Sequence, residues 1–218
     1  SFFEREEVRN ALAYLRVVAN PADDVSLARI INTPSRGIGD TSVERVQTLA
    51  STSGTPLLEA MRSASEIADL SARARSSIAS FVAMIDGWTG AGTFMGSQVS
   101  SSLSDLVERV IRESGLEAHY LALSKAGKSE ADLERPENLS ELVSSARQFE
   151  NEFDPDSDPA FFPGADAARD GRLAPIPPLL AMLRAYLESI ALVADADAVD
   201  PEQGSVTLMT LHAAKGLE

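Results

Sequence analysis

Apolar residues recur at helical spacing along most of this chain. From Glu4 to Ala19, Val8, Leu12, Leu15 and Ala19 fall on one face, with steps of four, three and four. Asn20-Pro21 then ends that helix and starts another. Asn20 suits the N-cap, Pro21 the first helical position, and Asp23 and Asp24 the positive end of the helix dipole. This second helix runs to about Ile31. A third, from Asp40 to Ser51, turns Val43, Val46 and Leu49 inward. Thr55-Pro56 opens a short helix to Met61, and Ser71 to Trp88 carries a stripe of Ile78, Val82 and Ile85. Leu103 to Ser114 repeats the pattern through Leu103, Leu106, Val107, Val110 and Ile111, with Gly115 as its stop. Helices are also expected over Glu117–Ser124, Pro136–Phe153 (Leu139, Leu142, Val143, Ala146, Phe149 inward) and Pro177–Val193 (Leu180, Leu183, Leu187, Ile190 inward).

Three stretches break the pattern. Gly87 to Ser102, with four glycines and several serines, reads as a loop. Asp154 to Pro175 is rich in Asp, Pro, Gly and Ala and reads as a long acidic surface loop, of a composition that favours disorder. Asp195 to Gly204 is an acidic linker, and Val206 to Leu211 is the one convincing strand. The expected fold class is therefore all-α, a bundle-like subdomain of many helices, with one C-terminal β-strand whose sheet partners lie elsewhere.

Composition narrows the function. Hydrophobic residues make up 44% of the 218, enough for a real core. No apolar run approaches the roughly 20 residues that span a bilayer, and no secretory signal opens the sequence. There is no cysteine, hence no disulfide framework and no zinc–cysteine site, and a reducing, cytoplasmic setting is the simplest reading. His119 and His212 stand far apart without metal-ligand spacing. The net charge of −14 argues against a surface coated in positive charge for nucleic acid. Charge is uneven, however. Val25 to Ala50 carries three arginines against two acids, a local +1, whereas Glu150 to Asp170 has seven acids against one arginine, a local −6.

Catalytic patterns are missing from the sequence: it has no G-x-x-x-x-G-K-[ST] phosphate loop and no arguable Ser-His-Asp or Cys-His set. Its carboxylates cluster in the loop and linker, where solvated acidic runs are the ordinary explanation. One segment stands apart. Residues 33–42, TPSRGIGDTS, lie between two expected helices. Gly37 and Gly39 permit backbone angles that line up N–H groups on one exposed surface, and the next helix starts at Asp40, Thr41 or Ser42 with its partial positive charge. Arg36 adds a full charge, and Asp40 opposes an anion. Such a turn holds a DNA phosphate without reading bases; it is equally a tight interhelical turn, and the pattern alone favours that plainer reading.

The ends of the chain change the balance. SFFEREEVRNALAYLR at the start and VTLMTLHAAKGLE at the finish resemble segments of the UvrD/PcrA/Rep group of superfamily 1 DNA helicases. In that group the first kind of segment leaves the second motor domain, 2A, and the second kind returns to it, with a helical subdomain, 2B, inserted between. LARIINTPSRGIGDTS, ERPENLSELVSSARQFE and LRAYLESIALVADAD resemble recurring segments of that subdomain. The resemblance implies a flank of 2A at 1–17, the 2B subdomain at 18–203, with the acidic loop at 154–175, and a returning 2A segment at 204–218.

The resemblance also implies roles. The Arg36-Gly37-Ile38-Gly39 turn, flanked by Thr33, Thr41 and Ser42, resembles the family's duplex-contacting element, related to helix-hairpin-helix motifs. Ser42 stands where members often carry Thr, so a hydroxyl is kept. Thr210 and His212 match the motif that contacts single-stranded DNA in the complete motor, and Glu218 matches an acid near the nucleotide ribose. The implied function is an accessory, regulatory subdomain of an ATP-dependent 3′-to-5′ DNA helicase active in repair, inactive as an ATPase by itself. ATP and Mg2+ would serve the parent, with no cofactor in this segment. The implied partners are DNA, as duplex backbone and single-strand/duplex junction, and motor domains 1A and 2A. A competing role is a platform for repair or transcription proteins through the acidic loop at 154–170 or the exposed helices. Hinges are expected at Val18–Asn20 and Asp195–Gly204, with the two termini close together. Phe2 and Phe3 are expected to pack on the 2A core, and Trp88 in the core of this segment.

Overall fold

A computed structural model describes residues 2–127, 129–154 and 176–197, with side chains through residue 193. Nine α-helices are formed among the described residues: α1 Glu6–Ala19, α2 Asp24–Ile30, α3 Asp40–Ser53, α4 Leu57–Arg62, α5 Ala72–Thr89, α6 Leu103–Glu113, α7 Leu116–Ala126, α8 Glu130–Glu152 and α9 Pro178–Asp197. A 3-10 turn at Phe2–Glu4 precedes them. The helical class is as expected. The strand expected at 206–211 lies outside the described residues, as does most of the acidic loop.

Helix α1 is the centre of the assembly. It packs against α2 and α5 on one hand and α6, α7, α8 and α9 on the other. Eleven of its fourteen residues are buried, so it is enclosed on nearly its whole circumference and not along one stripe. The run NALAYLRVVA permits this, because Ala11 and Ala13 let neighbouring helices approach closely beside the larger Leu12, Tyr14 and Leu15. The segment expected as a flank at 1–17 thus shares one continuous, buried helix with the helical body.

Several boundaries shift for identifiable reasons. Asn20 is the C-cap of α1, not an N-cap, and its side chain accepts from Ala22 N at 3.1 Å in a local turn. Asp23 is the N-cap of α2, accepting from Ser26 N at 2.9 Å. Asp24 reaches across to accept from Leu57 N at 2.9 Å, so the start of α4 is capped from another helix and not by Thr55. Helix α8 begins six residues before Pro136. Ser129 caps it by accepting from Asp132 N at 3.1 Å, and Pro136 sits inside the helix. Phe2 and Phe3 meet edge to face, ring centres 5.1 Å apart, and pack partly against this chain's own core. Trp88 is fully buried, as expected.

Candidate nucleic-acid interface

The turn at 32–39 joins α2 to α3, and its shape is set by three inward anchors. Ile38 is fully buried and plugs the turn into the core. Asn32 folds its carboxamide over the backbone, accepting from Arg36 N at 2.8 Å and Ile38 N at 3.3 Å. The third anchor is Arg36 itself, whose guanidinium points into the protein. Nη1 donates to the carbonyls of Ile30 at 2.7 Å and Ile31 at 3.0 Å, and Nη2 donates to Ser114 O at 3.1 Å and to the Tyr14 hydroxyl. The group also lies 4.9 Å from the centre of the Phe81 ring.

Four of the five guanidinium N–H groups are thereby committed. Two of the accepting residues end helix α2 and one ends α6, so the cation neutralises the partial negative ends of two helices at once. The expected free charge at the turn is therefore not supplied by Arg36; in this structure its side chain holds the turn in place.

Tyr14 extends the anchor into α1. Its hydroxyl donates to Thr33 O at 2.5 Å and accepts from Arg36, while its ring meets Trp88 edge-on at 6.0 Å. Trp88 Nε1 donates to Glu113 Oε2 at 2.7 Å, and Glu113 Oε1 accepts from Arg109 Nε at 2.9 Å. Burial pushes the Tyr14 hydroxyl up to about 12, against the opposing pull of Arg36. Folded Tyr14 thus keeps its proton at a pH where the unfolded residue has lost it. The stability this contributes is complete below pH 10 and declines as pH rises from there through about 12. Urea titrations at pH 8, 10 and 11 are expected to show that fall, and Tyr14→Phe should flatten part of it. Tyr120 and Tyr186 are also raised by burial and act in the same direction.

With the anchors inside, the outer surface of the turn is backbone together with exposed Ser35. Gly37 has φ +82, a left-handed angle that favours glycine, and both Gly37 and Gly39 are exposed. Gly39 is the N-cap of α3 with φ −75 and ψ 166, and it has no side-chain cap. A Cβ built on Gly39 would meet nothing within 4 Å. The amides of Gly37, Gly39, Asp40 and Thr41 donate to no acceptor among the described residues. They fall within five consecutive residues, an arc of chain from Gly37 to Thr41 that leads into the positive end of α3.

Of the expected contact residues, Gly37, Gly39 and Thr41 are exposed, Thr33 and Ser42 are half-buried, and Ile38 belongs to the core. Thr210, His212 and Glu218 lie outside the described residues. Sequence reasoning missed two residues on α5. A Cβ on Gly37 would stand 3.5 Å from Ser77 Oγ and 3.6 Å from Arg73 Nε, so both border the turn. They are distant in sequence, and no local pattern marks them. Asn32 and Tyr14 were missed as well; only Asn32 carried a signal, as an Asx residue at a helix end.

A family model described as the UvrD-like helicase C-terminal domain matches residues 1–218. The chain is 38% identical over 225 residues to the ATP-dependent DNA helicase UvrD1 of Mycobacterium leprae, covering 100% of this chain and 26% of that protein. It is 36% identical over 218 residues to DNA helicase II of Escherichia coli, again with 100% of this chain and 26% of the relative. With the ATP-dependent DNA helicase PcrA of Bacillus subtilis it shares 33% identity over 223 residues, 100% of this chain and 25% of the relative. The chain thus spans about a quarter of the length of these curated relatives.

Proposed function

This chain belongs to the UvrD-like helicase C-terminal domain family, and from that premise we propose that it is the helical 2B subdomain of a 3′-to-5′ DNA helicase, gripping the duplex ahead of the fork. The observation that carries this reading is the arc of four amides without a protein acceptor, at Gly37, Gly39, Asp40 and Thr41. Amides of this kind at a helix N-terminus bind phosphate oxygens and read no bases. The two glycines keep side chains off the surface so that a backbone phosphate can approach. Ile38, Asn32 and Arg36 hold the arc rigid, which spares binding the cost of ordering a loose loop.

In the parent helicase, ATP hydrolysis would drive movement along one strand, and this subdomain would modulate unwinding during repair by holding the other side of the junction. Residues 1–17 and 204–218 are proposed as its connections to motor domain 2A. Thr210 and His212 are proposed to face single-stranded DNA, and Glu218 the nucleotide. ATP and Mg2+ enter only through the complete enzyme. For the alternative of a platform for repair or transcription proteins, the acidic loop lies almost wholly outside the described residues.

The test is equilibrium binding of the complete helicase to single-strand/duplex junctions at several salt concentrations. Affinity is expected to stay within about twofold when the duplex sequence is scrambled, and to fall steeply with salt. A strong sequence preference would contradict the reading, as would equal affinity for the single strand with and without its duplex arm.

No helix among the described residues is long and apolar enough to cross a membrane.

A further inference from the structure

The turn offers amides to a phosphate but, with Arg36 turned inward, no side-chain cation of its own. We propose that Arg73, on the first turn of α5, supplies that cation and forms a second phosphate contact beside the arc, an inference that rests on the duplex-gripping role given above.

Proximity is the first support. The Arg73 side chain borders the outer face of Gly37, with Nε 3.6 Å and Nη2 3.9 Å from where a Cβ would stand. A phosphate seated on the arc therefore lies beside the guanidinium.

Availability is the second. Neighbouring arginines are committed within the protein: Arg36 to three carbonyls and Tyr14, Arg45 to Asp69 O, Arg75 to Ile67 O at 2.8 Å, and Arg62 to Asp86 at 2.6 Å. Arg73 is exposed and makes no ion pair or hydrogen bond among the described residues. Its charge is free for a ligand.

Placement is the third. Helix N-termini favour acids, and a cation in the first turn works against the dipole. Helix α5 has no acid in its first turn and carries Arg73 there. This is a poor choice for the stability of α5 and a good one for an anion, because the charge adds to the positive ends of both α3 and α5. Further along α5 lies a cleft of about 340 Å³ edged by the hydroxyls of Ser76, Ser77 and Ser80, with Arg36 also in its lining. None of these hydroxyls has a hydrogen-bond partner among the described residues. A strand leaving the arc along α5 would thus meet a guanidinium and then neutral donors. Glu113, at the far side of the cleft, is already held by Trp88 and Arg109.

The experiment measures junction-DNA affinity of the complete helicase against salt for wild type, Arg73→Ala, Arg73→Lys and Gly39→Asp, with thermal melts of each. Losing one phosphate contact should lower the slope of log K against log salt by about 0.9, which at 0.1 M salt is about an eightfold loss of affinity. Arg73→Ala is expected to show that loss with an unchanged or slightly raised melting temperature, and Arg73→Lys to restore most of it. If Gly39→Asp weakens binding and Arg73→Ala changes neither affinity nor slope, the Arg73 contact is overturned while the grip by the turn stands. If neither substitution weakens binding, the duplex-gripping role itself fails.

Discussion

Gly39→Asp in the complete helicase is expected to leave folding stability unchanged or slightly raised while weakening binding to duplex junctions at least tenfold. The two effects have opposite signs for physical reasons. Gly39 occupies the N-cap of α3 in an extended conformation open to any residue, and an added Cβ would meet nothing within 4 Å. Aspartate is among the best N-cap residues, and glycine is only a few tenths of a kcal/mol poorer. The same carboxylate would accept from the amides proposed to hold the phosphate and would set a negative charge against it. A tenfold loss corresponds to about 1.4 kcal/mol, well within what one misplaced charge costs at a phosphate contact. Gly39→Asn separates the components. It caps without the charge and should fall between wild type and aspartate. Thermal melts and junction-binding isotherms on the same preparations check both signs.

Arg36→Ala is expected to act in the other register, destabilising the fold by about 3 kcal/mol. Removing the guanidinium leaves the carbonyls of Ile31 and Ser114 without their donor and takes one donor from the Tyr14 hydroxyl and from Ile30 O, which keeps Thr33 N at 3.0 Å. It also strips the cation from two helix C-termini and from the face of Phe81. Arg36→Lys should recover less than half of the loss, because an ammonium on a flexible stem cannot reach three carbonyls and a hydroxyl from one plane. Urea unfolding of the three proteins measures this. Equal stability of wild type and Arg36→Ala would mean that the guanidinium does not hold the turn.

These two substitutions show what the sequence could and could not convey. The glycine turn was legible, because G-x-G ahead of a helix start is a local backbone signal. The direction of Arg36 was not, since the carbonyls and rings that draw it inward come from α1, α2, α5 and the end of α6. Arg73 was invisible for the same reason, as its closeness to Gly37 exists only after α5 packs. Helix α6 was read almost to the residue, because Ser102 caps it and one apolar stripe is buried. Helix α1 was read as one-sided, when packing on two groups of helices buries nearly all of it. Pro136 was taken for a helix start, yet Ser129 and Asp132 begin α8 earlier, and the arginine preceding the proline ties that turn to α1 through Glu6 at 3.1 Å.

The central claim is that the amide arc from Gly37 to Thr41 touches the duplex backbone. Hydrogen–deuterium exchange on the complete helicase, with and without a single-strand/duplex junction, tests it most directly. Slowed exchange at Gly37, Gly39, Asp40 and Thr41 on binding the junction, absent with the single strand alone, is the predicted result. Unchanged exchange over residues 36–42 in a fully bound complex would contradict it.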